Sequence, residues 1–200
     1  QFCCHNAIFM TNNPTSLHVV IAGGGIGGLA LALFLEKAGI SCCIYEAYGY
    51  KASAGGGFNI APNGMNVLDV LGLAQQVTDA GTISEEHCMR NGKGKLIGHM
   101  PNGAPGKYGR PGVSISRAAV YDILLVDIKA KGLEIKYGKH LCGIKQDEWG
   151  ITAFFTDGTQ ASGDILIGAD GIHSATRNIL FPEGPKPAYV GLKNYGGFTP

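Results

Sequence analysis

Leu17-His-Val-Val-Ile-Ala22, Gly23-Gly-Gly-Ile-Gly-Gly28 and Leu29-Ala-Leu-Ala-Leu-Phe-Leu-Glu-Lys-Ala-Gly39 follow one another without interruption, and their reading decides the fold. The first stretch is a short apolar β run. A glycine cluster follows it directly, and the third stretch is a helix that is apolar nearly all round, with Gly39 as a natural C-cap. Ser41 to Tyr45 reads as a second buried strand, closed by Glu46. Such a strand-helix-strand unit is right-handed with parallel strands, which places the chain in the α/β class.

Gly23, Gly25 and Gly28 keep the spacing G-x-G-x-x-G, with Ile26 and Gly27 completing the loop. A pyrophosphate sits on bare N–H groups at a helix N-terminus, where side chains would block its approach, and the third glycine lets helix and strand pack closely. Alone the spacing is weak. Here it follows a β run, opens an apolar helix and is answered by Glu46 at the end of the next strand, which is the context the motif needs. A Glu46 carboxylate can accept from both ribose hydroxyls and repels a 2′-phosphate, so the adenosine belongs to FAD or NAD rather than NADP. Glu46 does not separate the first two.

Glycine makes up 32 of the 200 residues, more than twice the usual share of about 7%. The glycines keep no three-residue period, and 45% of the chain is hydrophobic, which excludes collagen and argues against disorder. Sixteen basic against fifteen acidic residues give a formal charge of +1 and no electrostatic footprint for nucleic acid or an anionic membrane. Six cysteines with no C-x-x-C suggest free thiols, no metal site and a reducing compartment, the cytoplasm. The uncharged run from Val19 to Leu35 falls just short of a membrane span, and its glycines favour strand, turn and helix. The first basic residue is Lys37, so the run is not expected to serve as a secretory signal, which needs a positive n-region.

Residues 1–16 read as an N-terminal tail in which Met10, followed by the short polar lead Thr11 to Ser16, is the expected start and residues 1–9 are extraneous. Ala52 to Gly57 forms a glycine loop, and helices are expected over 63–71 and 73–80. His87 to Arg90 and Lys95 to His99 suggest a hairpin around Asn91-Gly92, followed by a Pro/Gly-rich loop to Pro111. Ser116 can N-cap a helix from Arg117 to Lys131, ended by Gly132. Strands are expected over 133–137, 141–145, 151–155 and 160–169, the last delivering Asp170-Gly171 to its carboxyl end, where Ser174 can cap a short helix. Ligands of open α/β sheets bind outside the carboxyl ends of strands, so Asp170-Gly171 belongs beside the first glycine loop.

From Leu17 onward the sequence resembles the FAD-dependent aromatic-hydroxylase (class A) flavoprotein monooxygenases, including fungal secondary-metabolite and salicylate-hydroxylase-like members. GGGIGG with Glu46 looks like their ADP-binding end. ASAGGGFNIAPNGMNVLDVLG looks like their glycine loop and helix, which places Gly55, Gly56 and Gly57 near the flavin. SISRAAVYDILL resembles the helix whose leading arginine, Arg117, touches the cofactor. GADGIHSATR matches the Asp-Gly motif, from Asp170 to Arg177, associated in this family with FAD and the nicotinamide donor. The resemblance implies a Rossmann-like FAD-binding domain with a parallel sheet and an added β-meander over 17–180. The hairpin and loop of 84–112 would face the substrate domain, whose β-rich beginning would occupy 181–200.

It also implies that NAD(P)H reduces bound FAD and that a flavin hydroperoxide passes oxygen to an aromatic or enol-like substrate. The family's second aspartate motif is not met: Gly163-Asp164 precedes the Asp-Gly motif and is followed by Ile-Leu-Ile. That motif and most of the substrate-covering sheet are expected after Pro200, so the chain reads as an N-terminal fragment without an assigned catalytic acid or base. Two rivals are an NAD-dependent dehydrogenase, which needs a third parallel strand soon after residue 60, and a non-catalytic fragment with weak nucleotide binding. Among single residues, Arg117 is disfavoured by charge at a helix N-terminus unless a phosphate lies nearby. Asp170 divides between site and helix cap, His173 reads as a packing or surface residue, and Trp149 as packing beside its turn. Lys93, Lys95 and Lys107 read as solvated loop charges.

Overall fold

The computed structural model describes residues 17–49, 56–103 and 109–192. The expected tail, Gly55, Lys107 and the last eight residues lie outside the described residues. In chain order the elements are β1 (His18–Ala22), α1 (Ile26–Lys37), β2 (Ser41–Glu46), β3 (Gly57–Ile60), α2 (Pro62–Val70), α3 (Ala74–Ala80), β4 (Thr82–Ile83), β5 (Glu86–Arg90) and β6 (Leu96–Pro101). They continue with β7 (Val113–Ser116), α4 (Arg117–Ala130), β8 (Glu134–Tyr137), β9 (Leu141–Asp147), β10 (Gly150–Phe155), β11 (Gln160–Gly163), β12 (Ile165–Gly168) and α5 (Ala175–Leu180).

The central sheet has the order β12-β1-β2-β8, and all its pairings are parallel. β1 and β2 are buried on both faces, which is why they read as unbroken apolar runs. Alternation sends Val19, Ile21 and Ile44 toward α1 and α4, and sends Val20, Cys43 and Tyr45 toward the antiparallel meander β9-β10-β11. There Tyr45 stacks on Phe155 with ring centroids 4.9 Å apart. Helices, parallel sheet and meander thus make three layers. Each large aliphatic side chain fully buried between them contributes about 1.5–3 kcal/mol.

The helix signals are met at both ends. Ser116 Oγ accepts from Ala119 N at 3.1 Å. Gly39 and Gly132 end α1 and α4 with φ of +72° and +68°, the left-handed conformation a C-cap glycine supplies. Cys42, Cys43, Cys88 and Cys142 are free thiols, and burial pushes the Cys43 thiol up to about 11.

Three expectations change, and one requirement of a rival reading is not met. The single strand over 160–169 is two: Asp164 Oδ2 accepts from His18 N at 2.7 Å while Asp164 N donates to His18 O at 2.9 Å. That exchange ends the meander and starts the parallel strand β12. The hairpin turns one step later than Asn91-Gly92, because Gly94 takes the positive φ of +79° and Asn91 Oδ1 accepts from Lys93 N and Lys95 N. Trp149 does not pack; it is 85% exposed. The parallel strand a dehydrogenase would need soon after residue 60 is absent among the described residues, where β3 pairs antiparallel with β7 and the outer neighbour of β2 is β8. Residues 182–192 carry no helix or strand. No helix among the described residues is long and apolar enough to cross a membrane.

Candidate functional site

β1 lies between β2 and β12, so the chain leaves the sheet in opposite directions on either side of it, and the carboxyl ends of all three strands open onto one cleft of about 480 Å³. Such a switch point is where α/β sheets bind ligands. Gly23 and Gly25 follow β1, Glu46 ends β2, and Asp170 and Gly171 follow β12; all five line the cleft together with Arg117.

Each glycine of the loop answers to a different constraint. Gly23 has φ +112°, and a Cβ there would lie 2.5 Å from Ala169 O. A Cβ on Gly28 would lie 2.0 Å from Gly23 O, so α1 reaches β1 only because the methyl is missing. Gly25 is different: a Cβ there meets nothing within 4 Å. Its bareness serves no internal packing, and it leaves the approach to α1 open. Gly25 caps α1 without a side-chain hydrogen bond, and the first turn holds no acidic residue. The N–H groups of Ile26, Gly27 and Gly28 have no acceptor within the helix, as an anion cradle requires, although none of these three residues lines the cleft itself.

Glu46 is fixed at both oxygens. Oε2 accepts from Gly24 N at 2.6 Å and Oε1 from Tyr48 N at 2.9 Å. Each oxygen keeps acceptor capacity for a hydroxyl. Glu46 therefore shapes the glycine loop in addition to facing the cleft, a coupling that spacing alone does not reveal.

Asp170 borders the cleft and also holds the start of α5. Its Oδ2 accepts from Thr176 N and Thr176 Oγ1, both at 2.9 Å, which ties the strand end to α5. Ser174 Oγ accepts from Arg177 N at 2.9 Å as the cap of α5. Burial pushes the Asp170 carboxyl up, but hydrogen bonds from Ser174 and Thr176 outweigh it and hold the group below the usual carboxylate range. Removing both bonds with Asp170→Ala is expected to cost about 1.5–3 kcal/mol near neutral pH. Because the folded-state pKa is lowered, that contribution is complete above about pH 4, the ordinary carboxyl value, and is lost as pH falls through the lower folded value. Urea melts of both chains from pH 7 to pH 2 check this; a gap that stays constant to pH 2 would contradict it.

Arg117 opens α4 and its guanidinium has no ion pair among the described residues. Arg117 N donates to Gly56 O at 3.2 Å and Gly57 pairs with Ser116, so β3 brings the end of the glycine loop beside Arg117. Gly56 and Gly57 do not line the cleft themselves. His173 is exposed and lies on the rim. Arg177 closes the Asp-Gly motif by donating to Ile172 O at 2.5 Å, while its Nε is buried without a partner.

Tyr48, Lys139 and His140 also line the cleft and were not expected from the sequence. Tyr48 meets His140 edge to face at 5.3 Å. Lys139 N donates to Glu46 O at 2.8 Å, and its ammonium pairs with Asp157 at 2.6 Å. These residues follow the carboxyl ends of β2 and β8. Placing β8 beside β2 would have found the last two; the sequence offers no local signal for that pairing.

Residues 16–187 match the family model described as FAD binding domain. The chain is 34% identical over 184 residues to the aurachin C monooxygenase/isomerase of Stigmatella aurantiaca, covering 92% of this chain and 47% of that protein. It is 34% identical to the 3-hydroxybenzoate 6-hydroxylase of Polaromonas naphthalenivorans over 84% of this chain and 43% of the relative. Among solved structures, Klebsiella pneumoniae HpxO complexed with FAD and uric acid superposes with a TM-score of 0.71 at 31% identity, covering 81% of this chain and 41% of that one. The chain spans less than half the length of each of these relatives.

Proposed function

The chain belongs to the FAD-binding-domain family that includes FAD-dependent aromatic hydroxylases, and from that membership we propose that it is the cofactor-holding part of an NAD(P)H-dependent monooxygenase acting with dioxygen on a small aromatic or enol-like substrate. The observation that carries this reading is the open start of α1, where a Cβ on Gly25 would meet nothing within 4 Å and no side chain caps the first turn. A pyrophosphate fits that cradle as its counter-charge.

In this reading Ile26, Gly27 and Gly28 donate backbone N–H groups to the pyrophosphate. Glu46 accepts from the adenosine ribose, and Arg117, otherwise a misplaced cation at a helix N-terminus, finds a phosphate. Asp170 and Gly171 set the strand end against which the rest of the cofactor lies, and Gly56 and Gly57 approach it from β3. Bound FAD supplies the hydride acceptance and oxygen activation; the protein supplies position, electrostatics and exclusion of water. Residues 17–180 form the cofactor domain, and 181–200 lead into a substrate domain. On the β5–β6 ribbon, His87, Met89, Gly98 and Met100 share one face by register. Met89 and Met100 are more than half exposed, and that face turns toward the substrate domain.

The test is made on the intact natural protein. Loaded with FAD, it is expected to oxidise NADH or NADPH faster when an electron-rich aromatic acid or enol is present, and to place one atom of labelled dioxygen in the product. Pyridine-nucleotide oxidation that never transfers labelled oxygen to any such compound would contradict the proposal.

A further inference from the structure

Glu86, Cys88 and His99 offer a carboxylate oxygen, a thiol sulfur and an imidazole nitrogen that all lie within 4.8 Å of one another. We propose that this cluster on the outer ribbon β5–β6 binds a borderline divalent cation of the Zn²⁺ class. The proposal is independent of the cofactor reading, since no residue of β5 or β6 lines the cleft.

Strand geometry assembles the set. Cys88 pairs directly with His99 across the ribbon, and side chains directly opposite stand on the same face about 4.5–5.5 Å apart. Glu86 precedes Cys88 by one pleat, which returns its side chain to that face, diagonal to His99. Glu86 Oε2 already contacts His99 Nε2, and Cys88 Sγ donates to Glu86 Oε1 at 3.6 Å. The face is the one opposite Met89 and Met100, and all three residues are exposed, so a cation reaches it directly.

The chemistry of the donors sets the preference. One thiolate, one imidazole and one carboxylate match tetrahedral Zn²⁺, with bonds of about 2.0–2.3 Å and a fourth position for water. Hard cations such as Mg²⁺ and Ca²⁺ favour all-oxygen sets. With the donors already within 4.8 Å of one another, rotamer changes at the exposed side-chain tips would replace the Glu86–His99 contact by two metal bonds. The sulfur binds as thiolate, so loading releases the Cys88 proton to solvent. A bound cation would cross-link the two strands of a ribbon that has no third strand beside it among the described residues.

Co²⁺, as a coloured substitute for Zn²⁺, is titrated into the reduced chain and into Cys88→Ser and His99→Gln. The expected result is a thiolate-to-cobalt charge-transfer band that saturates at one equivalent and is bleached by Zn²⁺. Cys88→Ser is expected to abolish this band. His99→Gln keeps every thiol and is expected to weaken binding by at least about tenfold, the lower end of what loss of even an outer partner costs. Far-UV circular dichroism of both variants should match the parent. Absence of the band in the parent, its persistence in Cys88→Ser, or parental affinity in His99→Gln would each overturn the proposal.

Discussion

A Gly28→Ala chain is expected to melt about 6–12 °C below the parent, the shift for a loss of about 3 kcal/mol in a domain of this size. The added Cβ would lie 2.0 Å from Gly23 O, inside any van der Waals contact and against backbone rather than a movable side chain. Neither partner can yield alone: Gly23 N is tied to Tyr45 O at 2.8 Å, and Leu29 and Leu33 are fully buried against the sheet. Over-packing of this kind costs about 1–3 kcal/mol, occasionally more, and the geometry here puts it at the upper end. Gly25→Ala is the matched control, because its Cβ meets nothing within 4 Å. It should lower stability by at most about 1 kcal/mol, the cost of a poorer cap, and yet lose FAD. Thermal melts without cofactor and FAD titrations of both variants check the pair. A Gly28→Ala chain that melts with the parent, or a Gly25→Ala chain that binds FAD as the parent does, would show that the two glycines are not divided between packing and ligand.

Glu46→Ala is expected to weaken FAD binding by about 10–100-fold, the equivalent of one charge-assisted hydrogen-bond set worth roughly 1.5–3 kcal/mol. Part of the loss is indirect, because Gly24 N and Tyr48 N lose their acceptor and the loop around the cradle loosens. Glu46→Gln separates the contributions. An amide keeps one acceptor oxygen but turns a donor toward the second N–H, so its affinity should fall between the parent and Glu46→Ala. Equal affinity for all three chains, measured by flavin fluorescence, would remove Glu46 from the site.

What was legible in the sequence was local. Gly39, Ser116 and Gly132 announce helix ends because capping acts within one turn. The β1-α1-β2 unit is legible because burial on both faces leaves continuous apolar runs with a glycine cluster between them. The three-layer arrangement follows from alternation only once the partner of each face is known. Asp164 shows where reading failed: Ser162-Gly163 is a breaker signal at the middle of Gln160 to Ala169 that was passed over, and the break is fixed by a bond to His18 far away in the chain. Lys139 and His140 escaped notice for a related reason, since their place on the cleft depends on β8 pairing with β2. Trp149 went wrong because a large aromatic beside a turn is expected to pack, whereas here it is left outside both core clusters. Asp170 was read as site or cap; one of its oxygens holds Thr176 while the residue still borders the cleft.

The central claim is that the cleft at the ends of β1, β2 and β12 holds the ADP half of FAD. It is tested most directly by equilibrium dialysis of the 200-residue chain against FAD, with ADP and riboflavin as competitors. One FAD per chain, displaced by ADP and indifferent to riboflavin, is the predicted result. A chain that takes up no FAD, or from which riboflavin but not ADP displaces it, would contradict the account.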